Sequence, residues 1–579
     1  MSDENDFLIR PGRVRSSRAQ RVRPFIAQAL AAAQKAGGHV SRSGRISTGK
    51  HSHFGRGRRA SVQANRLLTG RSRVVVIKTR VVRHSARSAP MSAHLKYLGR
   101  EGVTRDGEKA RMFCPGDDAV DPKEFAERCK DDRHHFRFIV SPEDATDIAD
   151  LKSFSRDLMR QMEKDLGTDL DWVGVDHWNT DNPHVHIILR GKLDDGRDLV
   201  ISRDYIKEGM RARAQDLVTL KLGPRTDLDI RNHLVRQVEA ERWTQLDRQL
   251  LRDGRRTGIV DTAPDPTRQP DEYYVLKIGR LRKLEALGLV DQVGPGQWVI
   301  GEGAEAMLRE LGERGDIIKR MHRALTDRGI ERGSSSYVLA AESLDAPIMG
   351  RLVERGLDDE LKGSAYAVID GVDGRTHHIR LPDIDAAGDS ARGSIVELRK
   401  YDDARGQRRV ALAVRSDLDI ERQVTASGAT WLDRQNIARD LAGLSEGGFG
   451  AEVKDALNRR AVHLIEEGLA ERKGQRVTFA RNLLETLRRR ELDALETKLA
   501  GDAGLPITRV NTGEYVAGTY RKRFDLASGR FAMIDDGFGF QLVPWTPSLE
   551  KQLGQRVSGI TRSDGGVDWN LGRKRGLGL

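Results

Sequence analysis

The sequence predicts an α+β protein: an antiparallel-sheet palm with helices on one face, followed by a C-terminal half built as a duplicated winged-helix plus small β-barrel. Three observations predict it. Between residues 73 and 190, β-branched or alternating runs take turns with amphipathic helical stripes, the pattern of one sheet layered with helices. After residue 280, a helix stopped by glycine and followed by a two-strand hairpin occurs twice. Finally, 579 residues are too many for one hydrophobic core, so the chain divides into several domains.

Residues 1–72 read as a disordered basic tail. Through Arg73, 16 Lys and Arg face only Asp3, Glu4 and Asp6, an excess equal to the net charge of +13 of the whole chain. The segment is rich in Gly, Ser, Arg and Gln, so it buries too little surface to offset chain entropy; only residues 24–36 have a helical pattern. A mobile polycation suits the phosphate backbone of nucleic acid, with Arg13, Arg15, Arg56, Arg58 and Arg59 as candidate contacts.

The palm is expected over residues 73–215. Residues 73–82 form a β-branched run that reads as a buried strand, and a short helix follows with Met91, Leu95 and Leu98 on it and Tyr97 near its end. Residues 135–140 are a second strand. Ser141-Pro142-Glu143-Asp144 then predicts a capped helix start, with Ile148, Leu151, Leu158, Met162 and Leu166 on one stripe and Gly167 as the stop. Residues 172–178 and 184–189 alternate as strands about a turn of Asx and Pro type.

Residues 216–270 are expected to be a helical connector and linker, with Ile230, Leu234, Val238, Leu246 and Leu250 as the stripe of one connecting helix. A winged-helix-like segment at 271–335, a small β domain at 336–425, a second winged-helix-like segment at 426–500 and a second small β domain with a basic end at 501–579 complete the order. The duplication rests on laying residues 284–300 on 464–479, and on residues 350–355 and 366–370 being echoed by 518–523 and 531–535. Apolar stretches reach only roughly ten residues, half of what spans a bilayer. The N-terminus has no leader pattern, and Cys114 and Cys129 are the only cysteines, so a reducing cytoplasm is expected.

The chemistry is concentrated between residues 176 and 186. His184 and His186 are two apart on a strand and leave the same face, and the turn brings His177 opposite them. An isolated histidine is usually a plain strand residue, as read for the His134-His135 and His377-His378 pairs, but three on one face predict a metal site. The cysteines fit no zinc-finger spacing, and a three-histidine site keeps coordination positions open, as catalysis requires.

His177-x-Asn179-(x)4-His184-x-His186, with an upstream strand and a tyrosine on an early helix, resembles the His-hydrophobe-His endonucleases, specifically the relaxases of conjugative and mobilisable plasmids and the T-DNA border endonucleases. The segment running from His94 through Tyr97 to Asp106-Gly107 is similar to the tyrosine-bearing motif of a relaxase branch with a large C-terminal region. The resemblance implies a palm nuclease that nicks one strand of DNA at a transfer origin. Tyr97 is the implied nucleophile, forming a 5′-phosphotyrosyl bond, and His177, His184 and His186 the implied ligands of a divalent ion, Mg or Mn in the cell with Zn also accepted. The family places an acid where this chain has Asn179, so the base role is assigned to Asp176 or Asp181. Trp178 is a candidate for stacking on a base, and Tyr205 is the fallback nucleophile.

Implied partners are single-stranded and origin DNA, relaxosome accessory proteins and a type IV coupling protein, and the implied route is export to a recipient cell through a basic end at Arg562 and Arg573-Lys574-Arg575. Two other functions compete: a rolling-circle replication initiator or transposase with the same chemistry, and a non-catalytic DNA-binding protein with a structural metal. No Gly-x4-Gly-Lys-Ser/Thr motif is present, so unwinding falls to another protein.

Overall fold

The computed structural model describes residues 71–570, except 85–90, 100–103, 106–107, 109, 179, 181, 264–272, 340–346, 360, 403–405, 407, 440–442, 475, 504–507, 509–512 and 563–565, together with a strand pair at His39–Val40 and Ile46–Ser47. Arg13, Arg15, Arg56, Arg58, Arg59 and Asp181 therefore lie outside the described residues. The chain divides into two compact units at residue 230.

The first unit holds a four-stranded antiparallel sheet of β1 (Val75–Arg83), β2 (His134–Pro142), β3 (Trp172–His177) and β4 (His184–Arg190), in the order β1-β2-β4-β3. Period 2 divides its residues between two faces. Phe136, Phe138, Val140, Val185, Ile187 and Leu189 point to one face and meet the two long helices. These are labelled below as α3 and α4, after two short helices, α1 (Met91–Leu98) and α2 (Pro122–Arg128), which cover Val173, Val175 and Ile188 on the other face. α3 (Leu151–Leu166) buries Leu151, Phe154, Leu158, Met159, Met162 and Leu166, each contributing about 1.5–3 kcal/mol of transfer free energy, and α4 (Met210–Leu222) packs beside it. Gly167 ends α3 at φ 66°, a left-handed conformation that glycine adopts without steric cost.

α3 does not start at Ser141-Pro142. β2 pairs with β1 through Pro142, and the helix begins nine residues later, where the Asp150 side chain accepts from the Lys152 amide at 2.8 Å. Cross-strand pairing therefore takes the residues that a local capping pattern had claimed.

The expected single connecting helix is also divided, into α5 (Asp227–Val238) and α6 (Gln245–Asp253). Thr244 and Asp247 form a reciprocal capping box that starts α6, while Gln237 Oε1 accepts from the Gln245 and Leu246 amides at 3.0 and 3.1 Å. β5 (Val260–Asp261), α7 (Tyr274–Ala286) and the hairpin β6 (Val290–Gly294) and β7 (Gln297–Ile300) complete a helix-helix-helix-wing arrangement. Arg280 of α7, 0% exposed, binds both Asp247 carboxylate oxygens at 2.8 and 3.0 Å and the carbonyls of Val238, Ala240 and Arg242.

The same clamp recurs. After α8 (Ala304–Thr326) comes a six-stranded sheet of β8 (Tyr337–Val338), β9 (Met349–Asp359), β10 (Ser364–Gly371), β11 (Thr376–Leu381), β12 (Ile395–Asp402) and β13 (Arg408–Ser416). Then α9 (Ile420–Val424), α10 (Trp431–Ala438), α11 (Gly448–Glu466) and the hairpin β14 (Ala470–Lys473) and β15 (Arg476–Phe479) repeat the first set. Thr430 and Asp433 form the capping box. Gln423 Oε1 accepts from Leu432, and Arg460 binds Asp433 and the carbonyls of Val424, Ala426 and Gly428. Gln237-Val-x-Ala-x3-Thr-x-Leu-Asp247 and Gln423-Val-x-Ala-x3-Thr-x-Leu-Asp433 are thus one motif written twice, and the first copy reaches back before residue 271.

α12 (Leu483–Ala503) leads to a five-stranded sheet of β16 (Tyr515–Leu526), β17 (Gly529–Asp535), β18 (Phe540–Pro544), β19 (Arg556–Thr561) and β20 (Val567–Trp569). β9 and β16 match at corresponding positions, with bulges between Leu352 and Glu354 and between Tyr520 and Lys522. Gly350 and Gly518 precede them, and a Cβ at either would lie 2.2 or 2.4 Å from the carbonyl oxygen of Asp370 or Asp535. Only glycine lets the strands approach this closely.

His377 and His378 are strand residues of β11. His378 stacks on Tyr366 with centroids 5.3 Å apart, and burial, with Arg320 beside it, pushes its pKa down to about 4. The unfolded chain, with a histidine near roughly 6.5, binds more protons between those values, so this contribution is full above about pH 6.5 and is lost as pH falls to 4, up to about 3 kcal/mol. Urea unfolding across this range is expected to show a shallower pH slope in His378→Gln. An unchanged slope would mean that His378 is not the titrating group.

Candidate active site

β3 and β4 pair so that His177 lies opposite His184 and Val175 opposite His186. The three imidazoles leave the face that packs on α1, and their ligand atoms all lie within 4.8 Å of one another. Ring centroids are 4.5 to 5.5 Å apart, and the residues are 0%, 9% and 4% exposed in sequence order.

Backbone carbonyls orient the rings. His177 Nε2 lies 2.9 Å from the Leu98 carbonyl and His184 Nδ1 lies 2.9 Å from the Asn182 carbonyl. A carbonyl only accepts, so each of these nitrogens carries a proton and the lone pair moves to His177 Nδ1 and His184 Nε2. His184 Nε2 then stands 3.1 Å from His186 Nε2, an approach that either an N–H of His186 or a shared cation satisfies. A tautomer fixed by an outer carbonyl is how metal-binding histidines are held. Neutral nitrogen donors on one face, with the proton-bearing atoms turned to carbonyls, fit a divalent cation.

His186→Ala is expected to weaken Mn²⁺ binding by about 100-fold or more, at or beyond the upper end of what losing an outer-shell partner costs. Calorimetric titration measures it, and wild-type affinity in the variant would remove His186 from the ligand set.

Tyr97 sits on α1, half-buried beside the cluster of Leu95, Leu98, Met112 and Phe125. Its neighbour Leu98 supplies the carbonyl that binds His177, so the tyrosine's helix abuts the histidine cluster. Asp176 is not brought to this face. It alternates with His177 along β3, lies opposite Val185 of the α3-facing core, and its carboxylate accepts from Trp178 Nε1 at 2.7 Å. Trp178 is half-buried, and the Arg105 guanidinium lies 5.1 Å from its ring centroid.

Tyr205 is 1% exposed in the α3 core. Its hydroxyl donates to Asp165 at 2.9 Å, and burial followed by that carboxylate raises its pKa. It is a packing residue on the wrong face for attack. Cys129, pushed up to about 12 by burial, stays a thiol.

Sequence reasoning passed over two residues. His94, 8% exposed, precedes Tyr97 by one helical turn and opens the same tyrosine-bearing segment. Arg137, 9% exposed on β2, had no local signal, since only the register shows which face and neighbours it has.

Residues 117–217 match the family described as relaxase, MobA/VirD2-like, nuclease domain. They include β2, β3 and β4 with all three histidines, while Tyr97 precedes them. Residues 277–405 and 398–578 match the family described as protein of unknown function DUF3363. No curated protein and no solved structure matches the chain. The matched nuclease domain is a metal-dependent DNA endonuclease, and among the described residues no helix is long and apolar enough to cross a membrane. The chain belongs to the DUF3363 family, and its N-terminal palm makes it a relaxase of the HUH type.

Proposed function

We propose that this relaxase nicks one strand of DNA at a transfer origin by tyrosine transesterification and pilots the cut strand into a conjugative channel. The observation that carries the reading is the buried histidine cluster tied through Leu98 to the helix of Tyr97. Tyr97 Oη attacks the scissile phosphorus, the P–O3′ bond breaks, and the departing 3′-oxygen takes up a proton. The 5′-phosphate stays on the tyrosine as an ester whose stored energy permits rejoining. His177, His184 and His186 would hold a divalent ion, which would supply charge stabilisation to the non-bridging phosphate oxygens.

The phenolic proton needs an acceptor on the same face. Asp176 faces away, which leaves Asp181 of the two acids, and His94 stands in the i, i+3 relation that places Cβ atoms roughly 5–6 Å apart on a helix. His94→Gln is therefore expected to shift the pH dependence of nicking, and an unchanged profile would exclude it as that base. Mg²⁺ or Mn²⁺ serves in the cell, while imidazole donors favour Zn²⁺ in affinity. Origin DNA, relaxosome accessory proteins and a type IV coupling protein are the proposed partners.

The test is capture of single-stranded origin-like oligonucleotides by the full chain across a metal panel. A denaturant-resistant adduct whose peptide maps to Tyr97 supports the reading. Its absence across oligonucleotides and metals overturns it.

A further inference from the structure

The face of the sheet that carries the histidines continues outward onto β2 and β1. In one cross-strand row Lys78 lies opposite Ile139, which lies opposite His186; in the next, Arg80 lies opposite Arg137, which lies opposite Ile188. Arg137 and His186 are therefore diagonal neighbours on adjacent strands, roughly 7–8 Å apart. Lys78 and Arg80 are exposed, and Val76, 51% exposed, extends the same face.

Two arginines directly opposite each other in an antiparallel pair repel. Two other arginines of the palm are neutralised, Arg190 by Asp132 and Arg213 by Asp165. Among the described residues no acid pairs with Lys78 or Arg80. Burial, with Arg80 opposite, lowers the Arg137 pKa to about 10.

Arg137 is also held in place. Its Nε donates to His135 Nε2 at 3.0 Å, and His135 Nδ1 meets His84 Nε2 at 2.6 Å. Burial keeps His135 neutral, with its pKa pushed down to about 2, so it serves as the acceptor. With a guanidinium against it, this histidine pair is a poor seat for a metal. It works as a brace for Arg137.

Resting on the strand-nicking reading, we propose that Arg80 and Arg137, with Lys78 beside them, form a binding site for a backbone phosphodiester of single-stranded DNA, one nucleotide along from the phosphate at the histidine cluster. An anion there relieves the repulsion that the register builds in, and a guanidinium offers the forked donors that phosphate accepts. Val76 and Ile139 supply apolar surface beside it for sugar or base.

The test is fluorescence anisotropy of a labelled single-stranded oligonucleotide with the full chain over a salt series, alongside covalent capture. Arg80→Gln and Arg137→Gln are each expected to weaken binding about three- to tenfold near 0.1 M salt and to make the log K against log salt slope shallower by about 0.7. Arg314→Gln, on an exposed turn of α8, is expected to match wild type. Arg137→Lys is expected to restore the slope but not the full affinity, because lysine keeps the charge and loses the fork. The basic tail adds to the slope of every protein alike, so the variants are compared with one another. Arg80 lies on the exposed edge strand, so its variant tests the site even if Arg137→Gln unfolds. Wild-type affinity and slope in Arg80→Gln, with wild type still capturing DNA, would overturn this site and leave the nicking reading standing. A wild type that binds single strands with the predicted Arg80 dependence but never captures them would overturn the nicking reading and support the phosphate site.

Discussion

Tyr97→Phe is expected to bind single-stranded DNA as wild type does while covalent capture falls by about a thousandfold or more, the scale on which removing a nucleophile acts. The substitution deletes one oxygen and keeps the ring. The packing of Tyr97 against the cluster that holds Leu95, Leu98 and Phe125 survives, as does the Leu98 carbonyl that orients His177. Loss of adduct with an unchanged unfolding midpoint would place the phenol in the chemistry. Normal labelling would send the search to another nucleophile, and Tyr205 is not a ready substitute, because its hydroxyl is engaged by Asp165 beneath the opposite face.

The second large effect is on stability. Arg460→Ala is expected to cost the C-terminal unit about 3–5 kcal/mol, because it leaves the Asp433 carboxylate buried without its counter-charge and strips donors from the Val424, Ala426 and Gly428 carbonyls. Both partners of the pair are 0% exposed, so water does not take over these bonds. The double variant Arg460→Met/Asp433→Leu should lose less than Arg460→Ala alone, since no isolated charge remains. Urea unfolding of the three proteins decides it. A loss below about 1 kcal/mol in Arg460→Ala would mean that the clamp is not a major source of stability. Arg280, with the same bonds to Asp247 and three carbonyls, should behave alike.

Much of the palm was legible because its signals are local. The α3 stripe of Leu151, Leu158, Met162 and Leu166 and its glycine stop need only helical periodicity. The hairpin that sets His177 opposite His184 needs only a short turn between two alternating strands. Asp176 shows where local reasoning ended. As the neighbour of His177 in sequence it looked available, yet strand alternation sends it to the other face, where Trp178 binds it. The capping pattern at Ser141-Pro142 failed for a different reason: pairing with Val75 and Val76 on β1 holds those residues in a strand.

Sequence alone determined that three imidazoles share one face of a hairpin, that the basic excess lies before residue 74, and that a helix-and-wing pattern occurs twice. Each of these depends on spacing within a few residues or on simple counting. Tertiary structure decided which carbonyls hold the imidazole tautomers, that Arg80 meets Arg137, and that a buried arginine locks each winged-helix copy to a capping aspartate 33 or 27 residues earlier. Such contacts join segments whose approach is set by strand order, register and packing, and spacing within the chain does not encode those distances.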